Sequence, residues 1–392
     1  MSPSPLNILF LPRWYPHRYD PMPGLFIQRQ AEALAVSNHV VVLYVHPDPT
    51  CPSEFEIDYS EEHGVLAIRV YFKIPEIALP GIFQFTNMIN YYRAHIRGLE
   101  VVGDFIPDII HSHILTREAL IGHLLSRRYR VPHVISEHWS RYFPQNCSFK
   151  GQIRKMATRY VVARAAAVIA VSEVLKNAMI SCHLMNKNYF VVPNVVVSPL
   201  LTVMPQERPN NRKSFIHVSC FDDRAKNISG LLQAIHKLSA QRSDFKCLLV
   251  GEGPDLERMK QLAQDLGLKE ETVSFLGLKG EEELARLYEG ADFAVLPSRY
   301  ETFGTVIVES LACGTPVVST AVGIAPEVIN DRNGMIITPD DTDVLVETID
   351  RMLDQSSTFN RSTIRDEIIG RFTPMAVSTQ LIAIYSTILG DV

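Results

Sequence analysis

Residues 291–328 read ADFAVLPSRYETFGTVIVESLACGTPVVSTAVGIAPEV, and the order of apolar and polar residues in this stretch decides the fold. An apolar strand (292–298) runs into a polar loop, Arg299 to Gly304, which opens a mostly apolar helix (305–314). Gly314 suits the end of that helix because glycine tolerates a left-handed backbone, and Pro316 starts the next strand. A strand, a crossover helix and a second strand are the unit from which parallel sheets are built.

Outward from this unit the same alternation covers the chain. Apolar runs that predict strands fall at 6–11, 40–45, 65–71, 108–111, 133–136, 167–171 and 189–192, and again at 214–218, 245–250, 272–276, 293–296, 316–319 and 335–337. Amphipathic helical stretches lie between them, among them 25–36, 118–129, 228–240, 256–266, 281–288 and 306–313. The strands are solidly apolar, as strands covered by helices on both faces must be. A stretch with three prolines and no periodicity, 197–213, separates the two blocks and reads as a linker. The expected architecture is α/β, with two doubly wound Rossmann-like domains facing a central cleft. The first spans residues 1–198 and the second 199–372, and a last helix within 373–392 packs back on the first. Ligand is expected between the carboxyl ends of the two sheets.

Glu309 lies among Val306, Ile307, Val308, Leu311 and Ala312, in a helix apolar on all sides and therefore buried. A carboxylate there needs partners: either a neighbouring cation or the hydroxyls of a ligand, such as the adjacent pair of a ribose. Glu301 precedes it by eight residues on the loop, and Gly304 stands at the helix start. Free amides and the helix dipole at such a start bind phosphate, and glycine permits close approach. Carboxylate, anion site and carboxylate in line match the hexose, diphosphate and pentose of a nucleotide-sugar.

The spacing Glu301-x7-Glu309, with Phe303-Gly304 inside it and 312–318 (ACGTPVV) after it, resembles glycosyltransferase family 4. The resemblance extends over nearly the whole chain and implies a retaining enzyme of the GT-B fold. It implies that Glu301 meets the transferred sugar, that amides around Phe303, Gly304 and Thr305 meet sugar and diphosphate, and that Glu309 binds ribose. It further implies that Lys226, at a strand end in HVSCFDDRAKN, neutralises the leaving diphosphate. Six residues earlier the family often has an arginine where this chain has Cys220, and Arg224 is the expected substitute. Gly24, at a helix start flanked by Arg13 and Arg29, is expected near the diphosphate, His138 near the donor sugar, and Gly251 beside the base. His111 and His113, in DIIHSHI, are expected to be structural, as is Glu327.

Composition excludes several classes. The net charge is −5, with residues 1–195 at +4 and the remainder at −9, and no nucleic-acid module is present. Six scattered cysteines form no C-x-x-C pair and suit a reducing compartment. The start, MSPSPLNILFLP, lacks the basic region of a signal peptide, and no run reaches the roughly 20 apolar residues of a membrane span. A cytoplasmic protein is expected. The stretch 149–164 is rich in Lys and Arg with no acid, which suits peripheral contact with an anionic membrane or a lipid-linked acceptor. No D-x-D motif lies near the site, so neither a metal nor another cofactor is expected beyond the donor, a UDP- or GDP-linked sugar. The acceptor is a sugar or lipid-linked hydroxyl, in a bacterial polysaccharide or lipopolysaccharide pathway. A sugar-nucleotide epimerase and a non-catalytic nucleotide-sugar-binding protein share the architecture, and a phosphorylase would need a pyridoxal phosphate lysine that the sequence does not offer.

Overall fold

The computed structural model describes residues 4–74, 80–115, 117–146, 148–202 and 213–390. The first sheet is built from β1 (Asn7–Pro12), β2 (His39–Asp48), β3 (Phe55–Glu62), β4 (Val65–Lys73), β5 (Ile109–His113), β6 (His133–Glu137), β7 (Ala167–Ala170) and β8 (Tyr189–Val191). Its spatial order is β3-β4-β2-β1-β5-β6-β7-β8. The second sheet holds β9 (Lys213–Val218), β10 (Phe245–Val250), β11 (Val273–Gly277), β12 (Phe293–Leu296), β13 (Val317–Thr320) and β14 (Gly334–Ile337), in the order β11-β10-β9-β12-β13-β14. All pairings are parallel except that of β3 with β4. The chain is thus two doubly wound α/β sheets, as the alternation predicts.

Burial explains the apolar strands. On β1, Ile8 and Phe10 join one core with the helices Leu25–Ala35 and Pro374–Gly390, while Leu9 and Leu11 join another on the opposite face. Successive side chains of a strand point to opposite faces, so a strand covered on both sides must be apolar throughout. β3 is the strand that the sequence reading leaves out. It sits at the sheet edge, reads FEIDYSEE and is largely exposed or half-buried, so its composition resembles a loop.

The helix Pro374–Gly390 buries Val377, Leu381 and Tyr385 against the helix Leu25–Ala35, and the Tyr385 hydroxyl reaches His111 Nδ1 at 2.6 Å. The helical stretch Arg361–Gly390 is long and apolar enough, by length and composition, to cross a membrane. Here Ile364, Ile368, Phe372, Val377, Leu381 and Tyr385 lie in the core, while Met375 is exposed. The expected linker falls mostly outside the described residues; its start forms the short helix Ser198–Thr202. Cys147 also lies outside them, and the described cysteines are unpaired.

Candidate active site

In each sheet the crossovers reverse direction beside the first strand, and the loops leaving the neighbouring carboxyl ends there splay apart into a crevice. In the second sheet the switch lies between β9 and β12. Lys226 follows β9 and Glu301 follows β12, so sheet order brings together two residues 75 apart in sequence. Lys226 Nζ donates to Glu301 Oε1 at 2.5 Å, and Ser298 Oγ donates to the same oxygen at 3.0 Å. The pair is nearly closed off from solvent, with the two side chains 17% and 11% exposed. Burial alone would pull the Lys226 ammonium below its usual pKa, but the Glu301 carboxylate, together with Cys220 and Asp222, holds the value above.

Arg299 locks the turn that presents Lys226. Its guanidinium donates to the Asp223 carbonyl at 2.6 Å and to Asn227 Oδ1 at 2.6 Å, and its Nε pairs with Asp340 at 2.6 Å. Asn227 ends the turn in a left-handed conformation, φ 54°. Nothing in the local sequence marks Arg299 for this work, because its partners come from a different crossover.

Glu309 lies on the helix Thr305–Ala312 and is 7% exposed. Its described hydrogen bond is a long one, 3.4 Å from the Tyr288 hydroxyl. Burial pushes its carboxyl above the usual range, against the pull of Arg29 from the first domain. Arg29 itself forms an ion pair with Glu281 across the cleft. Gly304 caps the helix with φ 79°, and the amides of Thr305 and Val306 precede the first intrahelical bond, from Ile307 N to Gly304 O. The Phe303 side chain is buried against Phe372, so only its backbone faces the site. Gly323 packs beneath this loop: a Cβ there would lie 2.3 Å from the Phe303 carbonyl, and Ile324 N donates to that carbonyl at 2.7 Å.

The opposite wall comes from the first sheet. Gly24 heads the helix Leu25–Ala35 with φ 74°, and a Cβ would overlap the Trp14 carbonyl at 2.1 Å. His138 is buried, stacks on His113 at 5.6 Å and meets its Nδ1 at 3.3 Å, and burial pushes its pKa down to about 3. It is therefore neutral at pH 7, and its Nδ1 has no partner among the described residues. His111 continues the stack, 4.2 Å from His113. Among the described residues no group of His, Cys, Asp and Glu is placed to hold a metal ion. Glu137, which the sequence reading does not single out, organises this wall. Its buried carboxylate accepts from the amides of Leu115, His138 and Trp139 and from the Tyr142 hydroxyl, all within 2.9 Å.

Arg224 and Gly251 each have a partner outside the Lys226–Glu301 pair. Arg224 does not join Lys226 and Glu301; it crosses to the first domain and donates to the carbonyls of Gln145 at 2.9 Å and Asn146 at 3.3 Å. The reason is the turn, which points neighbouring side chains away from one another. Gly251, φ 124°, allows the β10 end to approach the Ser219 carbonyl, to which a Cβ would come within 1.9 Å. That requirement is one of chain packing. The walls are joined at further points: Ser172 Oγ donates to the Thr302 carbonyl at 2.6 Å, and the Glu173 amide to Glu327 Oε1 at 2.9 Å.

Known proteins are similar over both halves. Residues 23–195 match the glycosyl transferase 4-like domain, and residues 203–365 match glycosyl transferases group 1. N-acetyl-alpha-D-glucosaminyl L-malate synthase of Bacillus anthracis is 28% identical over 298 residues, 72% of this chain and 76% of that protein. Sucrose-phosphate synthase of Thermosynechococcus elongatus superposes with a TM-score of 0.76 at 22% identity, covering 98% of this chain and all of that one, 100%. HepE of Anabaena, solved with UDP and glucose, gives 0.70 at 20% identity over 97% of this chain and 100% of its own. Two parallel-sheet domains meeting at a cleft, each matched by a sugar-transferase family, define a glycosyltransferase of the GT-B fold. The chain belongs to the GT4 type within that class.

Proposed function

We propose that the chain is a retaining glycosyltransferase that moves a sugar from a UDP- or GDP-linked donor to a hydroxyl acceptor, in the assembly of a bacterial polysaccharide or lipopolysaccharide. The donor lies on the second domain, residues 199–372, and the acceptor on the first, residues 1–198. The observation that carries this reading is the Lys226–Glu301 pair at the β9/β12 switch point, beside the amino end of the helix that bears the under-bonded Glu309. The Anabaena relative bound to UDP and glucose supports the donor class.

On this reading Glu309 accepts hydrogen bonds from the ribose hydroxyls, and the amides at Gly304 and Thr305 hold phosphate oxygens with Lys226. The bond between the anomeric carbon and the diphosphate oxygen breaks, leaving an oxocarbenium-like sugar. Lys226 and the helix dipole stabilise the charge that develops on the departing oxygen. The acceptor hydroxyl attacks from the face the diphosphate leaves, and its proton passes to the departing phosphate. Glu301 and the neutral His138 orient the sugar hydroxyls. Closure of the cleft, held by contacts such as Ser172 to Thr302, excludes water, whose attack would hydrolyse the donor.

A thermal-shift screen of UDP, GDP and their sugars is the first test, since a ligand that binds only the folded state raises the melting temperature. Glu301→Ala is expected to keep nucleotide binding and lose transfer, measured as acceptor glycosylation. Full transfer by that variant would remove Glu301 from the mechanism, and conversion of a free nucleotide-sugar without acceptor would point to an epimerase instead.

A further inference from the structure

The first domain holds a cavity that the donor reading does not use. It measures about 430 Å³ and opens at the carboxyl ends of β1, β5 and β6, with Arg13, Arg117, Arg141 and Arg154 in its walls. That volume is in the range of small-molecule sites. It adjoins the proposed reaction centre through shared loops: Trp139 in its wall follows His138 directly and packs on Trp14, whose carbonyl abuts Gly24.

Arg141 is the informative side chain. It is 6% exposed, its guanidinium lies 3.4 Å over the Trp139 ring, and its Nε is buried with no hydrogen-bond partner among the described residues. Burial draws its pKa below the usual guanidinium value. The nearby carboxylate of Glu137 is engaged by three amides and Tyr142. Arg13 is paired with Glu118 at 3.4 Å, but no described carboxylate pairs with Arg117, Arg141 or Arg154. Stacking on an aromatic ring offsets only part of the cost of burying a cation and leaves its donors unused. Met88, Leu120, Ala157 and Val161 complete the walls with apolar surface.

We propose that this cavity is the acceptor subsite, that the acceptor carries a phosphate-type oxyanion, and that Arg141 grips it while the apolar walls cover the remainder. The assignment of the cavity to the acceptor rests on the donor lying on the second domain. A guanidinium presents paired donors to an oxyanion, and such charge-assisted bonds are the strong ones. The anion is either a lipid headgroup phosphate or that of a soluble phosphorylated sugar or alcohol, with the same chemistry at Arg141.

Octyl phosphate, inorganic phosphate and octyl glucoside are the probes, titrated into the intact protein and read by the fluorescence of its two tryptophans, whose rings lie 5.2 Å apart at the cavity. Octyl phosphate is expected to bind at least about tenfold tighter than octyl glucoside, and Arg141→Gln to weaken it about tenfold or more, while Arg141→Lys recovers part of the loss. UDP affinity, set on the other domain, serves as the fold control for both variants. Octyl phosphate binding well above inorganic phosphate supports the proposal with a lipid-borne anion; equal affinities support it with a soluble one. Equal binding of octyl phosphate and octyl glucoside, indifference to Arg141→Gln, or displacement of octyl phosphate by UDP would each overturn it. If UDP binds and octyl phosphate does not, the subsite falls and the donor reading stands. If octyl phosphate binds through Arg141 and neither UDP nor GDP binds, the donor reading falls and the oxyanion site stands.

Discussion

Lys226 is a cation that burial opposes and Glu301 sustains, and the two are held at 2.5 Å by a turn that Arg299 fastens. On the proposed reading, donor diphosphate takes a share of that charge. Lys226→Ala is therefore expected to slow transfer by about 10²–10³, the usual worth of one well-placed charge-stabilising group, and a rate within a few-fold of the parent would remove it from the phosphate site. Glu309→Ala acts on binding instead. Loss of charge-assisted bonds to ribose is expected to weaken UDP or GDP affinity roughly tenfold to a hundredfold by calorimetry, with no change if Glu309 is only a partner for Tyr288. Both acids and Lys226 were legible as candidates because each stands beside a local signal: a helix start, an apolar helix face, a strand end. Arg299, Glu137 and Arg141 were not, because each is defined by partners on other crossovers.

At the scale of elements, glycines set how closely loops approach. Gly323 has φ 51°, and a Cβ would collide with the Phe303 carbonyl at 2.3 Å, which supports the loop carrying Glu301 and Gly304. Gly323→Ala is expected to cost about 1–3 kcal/mol through backbone strain and to weaken nucleotide binding, because the loop must shift. Melting curves and UDP titrations check both effects; parental values in both would show that the two loops are not coupled. The parallel strands were legible to within one to three residues at their ends, since covered parallel strands are apolar runs. The edge strand β3 was not, because none of its side chains is fully buried and its acids dilute the pattern.

At the scale of the whole molecule, both domains bury neutral histidines in their cores. Burial pushes His95 and His217 down to about 4 and His133 and His138 down to about 3, and holds His111 and His113 well below the usual imidazole value. In the unfolded chain these groups take up protons near pH 6.5, whereas the folded chain does not until far lower pH. The unfolded state therefore binds more protons between these limits, so stability is fully present above about pH 6.5 and is lost as pH falls toward the depressed values. The slope is about 1.4 kcal/mol per pH unit for each such group. Urea unfolding at pH 7.5 and 5.5 is expected to show a clear drop in midpoint at the lower pH, and equal midpoints would contradict the buried-neutral assignment. By itself the sequence determined the strand–helix alternation, the parallel character of the strands and the helix that sets Glu301 and Glu309 around its amino end, because all of these are written in periodicities a few residues long. Only the tertiary structure decided that Lys226 meets Glu301, that Arg224 turns to the other domain, and that loops after β1, β5 and β6 enclose an arginine cavity. Those contacts depend on which strands lie side by side, and strand order is settled by burial summed over the whole chain rather than by any neighbouring residues.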